Sequence, residues 1–225
     1  MNGTEVKTLR HSAVLFDLDG TLLDTLEDIG HAVNRVLTSK GFPTHRMDAF
    51  RSFIGDGTAM LVTRALPEDR RDHETVQICL QTFLKDYGQH WNVKTKPYDG
   101  IPDMLDTLTS RGLRMAVLSN KPDAFTKRCV TELLSSWSFD LIIGQRDGVP
   151  PKPDPTSALK VADQLDVPPA SFLYLGDSAI DMKTATAAGM FPIGVLWGFR
   201  EAGELRESGA RALMKHPRDI VKFLD

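Results

Sequence analysis

The sequence predicts an α/β protein: a doubly wound, Rossmann-like parallel sheet, interrupted after its first strand by an all-helical insert. Three observations carry this. Short apolar runs ending at a small or acidic residue recur along the chain, at 13–16, 115–118, 141–143 and 172–175. A helical pattern follows each of the last three. Between about 24 and 95 the apolar spacing is helical with no good strand. Continuous apolar runs suit strands buried on both faces of a parallel sheet. Alternation of such strands with helices is the pattern of a doubly wound sheet.

Element by element, the first strand covers 13–16. Leu26, Ile29, Val33, Val36 and Leu37 then form one stripe at helical period, and Gly41 with Pro43 punctuates after it. Gly55 and Gly57 open a loop before a helical stretch at 59–66, which Pro67 ends. Val76, Cys79, Leu80, Phe83, Leu84, Tyr87 and Trp91 form a second stripe. The turn chemistry of 97–100 marks the second of two linkers. After it come a strand at 115–118, a helix at 122–134, a strand at 141–143 and a helix at 155–165. A strand at 172–175, a helix at 180–188, a strand at 192–196 and a short closing helix at 220–224 complete the series. The predicted division is 1–23 with 96–225 as the α/β core, and 24–95 as the insert.

Composition narrows the function classes. A chain of 225 residues holds one large domain, or one domain with a second inserted in it. Hydrophobic residues at 41% and charged residues at 25% match a soluble globular chain and exclude collagen, disorder and a disulfide scaffold. Lys and Arg total 27 against 30 Asp and Glu, so there is no basic field for a nucleic-acid partner. Cys79 and Cys129 have no second ligand at metal spacing, and read as small buried side chains in a reducing compartment. The N-terminus to Ser12 is polar and the first apolar run is too short for a signal peptide or a membrane span, so a cytoplasmic protein without a membrane partner is expected.

The chemistry sits at strand ends. Asp17-Leu18-Asp19-Gly20-Thr21 follows the first strand and places two carboxylates at i and i+2, pointing the same way into the crevice where open α/β sheets bind ligands. An Asp-rich turn capping the next helix is the plainer reading of the same residues. Gly176-Asp177-Ser178-Ala179-Ile180-Asp181 follows the fourth run and brings two more acids. Asp181 also suits the first turn of a helix, where it complements the dipole. Four acids converging on one crevice repel one another unless a cation lies among them, and hard oxygen donors imply Mg²⁺. Ser119-Asn120 ends the second strand and Lys152 precedes the helix that Asp154 and Pro155 start. Alone, Ser119 reads as a cap or turn former and Lys152 as a solvated side chain. Their place at the same sheet edge as the acids favours a shared site.

These segments resemble, in order, the four motifs of the haloacid dehalogenase superfamily of phosphohydrolases: Asp17 to Thr21, then Ser119, then Lys152, then Asp177 with Asp181. The resemblance covers the chain after about His11, and the insert is similar to that family's helical cap. Within the superfamily, Phe53-Ile54-Gly55-Asp56-Gly57 and Tyr98-Asp99-Gly100-Ile101 resemble the phosphoglycolate phosphatase group. The resemblance implies Mg²⁺-dependent hydrolysis of a small phosphorylated metabolite, with 2-phosphoglycolate the leading substrate. Pyrophosphate, sugar phosphates and nucleotides are alternatives, as is a mutase. A phospho-accepting signalling module, which also sets Asp, Lys and Ser or Thr around Mg²⁺, is a reading of another class. Under the resemblance Asp17 is the nucleophile, forming an aspartyl phosphate, and Asp19 is the general acid and base. Mg²⁺ is held by Asp17, Asp177 and the backbone carbonyl of Asp19, with Asp181 acting directly or through water. Lys152 and Ser119 bind phosphoryl oxygens, with Asn120 nearby. Gly55, Asp56 and Gly57 form the loop expected to read the leaving group. Arg51 and Arg64 are the nearest cations for a substrate carboxylate, each also readable as a solvated surface charge.

Overall fold

The computed structural model describes residues 11–224. Residues 1–10 and 225, assigned above to the α/β core, lie outside them. The first half comprises β1 (Ala13–Phe16), β2 (Leu23–Asp24), α1 (Leu26–Ser39), α2 (Phe50–Phe53), α3 (Thr58–Ala65), α4 (His73–His90) and β3 (Lys96–Pro97). The second half comprises α5 (Ile101–Ser110), β4 (Arg114–Pro122), α6 (Asp123–Leu133), β5 (Leu141–Gln145), α7 (Thr156–Leu165), β6 (Phe172–Gly176), α8 (Ala179–Ala187), β7 (Phe191–Val195), α9 (Ala202–Glu207) and β8 (Ala212–Met214).

Six strands pair in the order β5-β4-β1-β6-β7-β8, every pair parallel. The apolar runs are continuous because both faces are covered. Val14 and Phe16 enter one apolar cluster, and Ala13 and Leu15 enter the other. Side chains alternate across a strand, so a run packed on both faces has no polar position to spare.

Besides the short β2, α2 and β3, three longer or edge elements had no counterpart in the sequence reading. Helix α5 buries Ile101, Met104, Leu105 and Leu108, a helical stripe that follows directly on the turn at 98–100. Helix α9 and strand β8 close the sheet's edge with short, mixed sequences. The closing helix is a 3₁₀ segment, Pro217–Phe223, which begins earlier than expected because Pro217 starts it.

The insert packs α1 and α3 against α4. Its apolar side chains, among them Phe50, Leu66, Tyr87 and Trp91, join the cluster that covers one face of the sheet. The linkers on either side are fastened to each other. β2 and β3 pair antiparallel, Leu23 opposite Pro97 and Asp24 opposite Lys96. Asp28, buried at the start of α1, accepts the backbone N–H groups of Lys94 and Thr95 and the Thr95 hydroxyl at 2.8–3.1 Å. A buried carboxylate is tolerated where it is hydrogen-bonded this fully.

Candidate active site

Strand β1 is central. The chain runs from it outward to β4 and β5, then returns to its other side as β6 and β7, so the sheet order reverses at β1. The crevice at the carboxyl ends of strands at such a reversal is where open α/β sheets bind ligands. Asp17 leaves β1 there, its N–H donating to the Leu175 carbonyl of β6 at 2.9 Å. Three residues on, Gly20 turns the chain at φ 83°, and a side chain at that position would run into the Asp177 carboxylate.

Asp17, Asp177 and Asp181 are all buried, and one carboxylate oxygen of each lies within 4.8 Å of the others. Lys152 is buried among them. Its Nζ donates to Asp17 Oδ1 at 2.8 Å, to Asp181 Oδ1 at 2.7 Å and to the Leu118 carbonyl at 3.0 Å, which engages all three ammonium protons. Asp177 Oδ2 accepts the Phe199 N–H at 2.7 Å. Asp181 is engaged through both of its oxygens. It forms the capping box of α8, its Oδ2 accepting the Ser178 N–H and hydroxyl, and it faces Lys152 through Oδ1.

Three carboxylates against one ammonium leave two negative charges over in a buried space. Burial first, then the Asp181 carboxylate, pushes the Asp17 carboxyl up to about 7 against the pull of Lys152. Burial and the two neighbouring aspartates raise Asp177 as well. Burial alone would lower Lys152, but Asp17 and Asp181 outweigh it and hold its pKa well above the usual lysine value. The unmatched charge, the oxygen donor set and the crowding fit one divalent cation.

The side chain of Asp19 lies in a second ion pair. Lys121 Nζ donates to Asp19 Oδ1 at 2.9 Å and to the Tyr87 hydroxyl at 2.8 Å, and sits 4.7 Å from the centroid of the Tyr87 ring. Burial opposes the ammonium charge, yet Asp19 and then Tyr87 raise the Lys121 pKa above its usual value. Sequence reasoning missed Lys121. Its signal was position: two residues beyond Ser119 along β4, it emerges on the same side of the strand.

Ser119 is buried at the floor, its Oγ accepting the Lys121 N–H at 3.3 Å. Asn120 is fully committed. Its Nδ2 donates to the carbonyls of Lys152 and Gly55, each at 3.1 Å, and its Oδ1 accepts the Lys152 N–H at 2.9 Å. The amide therefore ties the Lys152 loop to the insert.

Between insert and core lies a pocket of about 530 Å³ including its mouth. Asp17, Asp19, Ser119, Asn120 and Lys121 line its floor, and Gly55 and Gly57 reach it from the insert. Asp56 does not line it, but pairs with Arg64 at 2.5 Å. Neither expected arginine lines it. Arg64 holds Asp56 and the Phe53 carbonyl, and Arg51 reaches across to the Gly198 carbonyl at 3.0 Å. Arg200 reciprocates from the core, donating to the Ile54 carbonyl at 3.0 Å.

Comparison with known proteins agrees with this geometry. The chain is 34% identical over 212 residues to a phosphoglycolate phosphatase of Aquifex aeolicus (strain VF5), covering 94% of this chain and 96% of the relative. It is 30% identical to an N-acetylmuramic acid 6-phosphate phosphatase of Pseudomonas aeruginosa, covering 98% and 97%. A crystal structure of a provisionally assigned phosphoglycolate phosphatase from Lactobacillus delbrueckii subsp. bulgaricus superposes with a TM-score of 0.89 at 31% identity, over 96% of this chain and 99% of that one. The family model described as haloacid dehalogenase-like hydrolase matches residues 14–195, and with an acid-lined crevice at the sheet's point of reversal the chain belongs to the haloacid dehalogenase-like hydrolase family.

Proposed function

We propose that the protein hydrolyses a small phosphate monoester through an aspartyl phosphate on Asp17, with Mg²⁺ as its cation. The observation that carries this is the buried trio Asp17, Asp177 and Asp181 with a single ammonium, opening through Asp17 onto the pocket. The Asp17 carboxylate attacks phosphorus as the ester P–O bond breaks, which divides hydrolysis into two displacements. Asp19 lines the same pocket and gives its proton to the departing alkoxide, then takes one from the water that attacks the phosphoaspartate. Lys152 orients Asp17, and the Ser119 hydroxyl meets a phosphoryl oxygen. Asp17, Asp177, Asp181 and the Asp19 carbonyl would hold the Mg²⁺, which when bound neutralises phosphoryl charge and keeps Asp17 ionised.

The insert serves as a cap over residues 24–95, with Gly55 and Gly57 facing the leaving group. 2-Phosphoglycolate is the leading substrate, supported by the relatives of that name and by one cation in the pocket, Lys121, which can meet its carboxylate. The free cysteines support a cytoplasmic location, and among the described residues no helix is long and apolar enough to cross a membrane.

Phosphate release should be followed from 2-phosphoglycolate, a hexose phosphate, a nucleotide and pyrophosphate, with Mg²⁺ and with excess chelator. Turnover of a monoester that chelation abolishes is the expected result. A stable phosphoprotein without turnover would instead make this a phospho-accepting module, and turnover in chelator would remove the metal from the mechanism.

A further inference from the structure

The pocket has two chemically distinct ends. Its floor is polar and charged, but the walls above are Ile29 from α1, Ile54, Leu61 from α3, Phe83 and Leu84 from α4, and Phe125 from α6. Ile29, Ile54, Leu61 and Phe83 are buried, and Leu84 and Phe125 are half-buried. Thr58 and Tyr87 are the polar side chains on the insert's side, and the Tyr87 hydroxyl already accepts from Lys121. A two-carbon acid held at the floor touches little of this wall.

We propose that this pocket also accepts, and selects for, phosphate monoesters whose alcohol carries an apolar ring or branched chain. The reaction is the one above, on which this inference rests. The phosphoryl group occupies the floor beside Asp17 and Ser119. The alcohol's carbon body lies against Leu61, Phe83, Leu84 and Phe125, where its removal from water strengthens binding in proportion to the apolar area covered. Because these contacts form in the ground state and persist through the displacement, the gain falls mainly in KM.

Benzyl phosphate and ethyl phosphate isolate this effect, since both release aliphatic alcohols of similar basicity and differ in the ring. With Mg²⁺ present, benzyl phosphate should exceed ethyl phosphate in kcat/KM by about tenfold or more, chiefly through a lower KM. A smaller ratio, or exclusion of the benzyl ester, overturns the proposal. Leu84→Gln places an amide on the wall at a half-buried position, and Phe125→Ala removes a ring from the core side. Each should lower the benzyl-to-ethyl ratio, and a ratio unchanged in both folded variants overturns the assignment to these walls. If none of these esters nor 2-phosphoglycolate is hydrolysed, the phosphatase reading itself fails, an outcome distinct from hydrolysis without preference.

Discussion

The strand-end site and the pocket above it share Asp17 and Asp19 but are built on opposite terms. At the strand ends the key polar side chains answer one another: Lys152 uses all three protons, Asp181 both oxygens, and Asn120 both amide groups. The remaining imbalance is charge, which a cation corrects. The apolar side chains of the pocket walls ask for no particular partner. The first arrangement fixes a reaction and the second leaves a choice of leaving group, so changes in the two regions should separate chemistry from selectivity.

The largest effect falls on the nucleophile. Asp17→Asn keeps the shape and the Lys152 contact but supplies an amide, a poor nucleophile, and should lower kcat by roughly a thousandfold or more with little change in the circular dichroism spectrum. Steady-state turnover near the wild-type rate in that variant would end the covalent mechanism.

The charge imbalance yields a stability test. The folded protein without metal holds Asp17 up to about 7, above the ordinary carboxylate value near 4 that the unfolded chain returns to. Between those values the folded state binds more protons than the unfolded one. This contribution is thus fully present below about pH 4 and is lost as pH rises through about 7. Asp177 shifts in the same direction. Mg²⁺ supplies the missing positive charge, so it should raise Tm by several degrees at pH 8 and by much less at pH 5, measured by calorimetry. Equal shifts at the two pH values would contradict the charge argument.

Much of the first region was legible in the sequence and little of the second. A carboxylate pair at i and i+2 after a continuous apolar run has few readings, and its spacing alone aims both side chains at one crevice. The walls are visible in the sequence only as helical stripes. Ile29, Phe83, Leu84 and Tyr87 belong to helical stripes that look like core packing, and periodicity cannot separate a side chain facing a neighbour from one facing a cavity. Leu61 and Phe125 come from other helices, and only tertiary packing brings them to the same pocket. Helix α5 carries its own stripe, but it begins directly on the turn at 98–100, whose chemistry is that of a linker.

Lys121 stands between the two regions, joining Asp19 of the core to Tyr87 of the insert. Lys121→Met should lower kcat by about tenfold to a hundredfold by freeing the Asp19 carboxylate to leave its position over the pocket. Tyr87→Phe, which keeps the ring and the Asp19 pair, should cost only a few-fold. The loss in Lys121→Met should be greater for ethyl phosphate than for an activated aryl phosphate, since proton donation matters most for a basic leaving oxygen. Equal losses on both esters would reduce Lys121 to a packing role.

The smallest effect is expected at the arginines. Arg64 pairs with Asp56 where both side chains are about a third exposed, and such pairs contribute roughly 0–1 kcal/mol. Arg51 crosses to the Gly198 carbonyl and Arg200 returns to the Ile54 carbonyl, so these two fasten insert to core without entering the pocket. Arg64→Ala should therefore leave kcat/KM on 2-phosphoglycolate within about twofold of the wild type. Arg51→Ala removes one of several hydrogen bonds that cross between insert and core, and should raise KM by a few-fold equally for 2-phosphoglycolate and ethyl phosphate, because loosening the closed arrangement does not depend on what the alcohol carries. A loss confined to 2-phosphoglycolate in either variant would mean that an arginine reaches the substrate carboxylate during turnover, displacing Lys121 from that task.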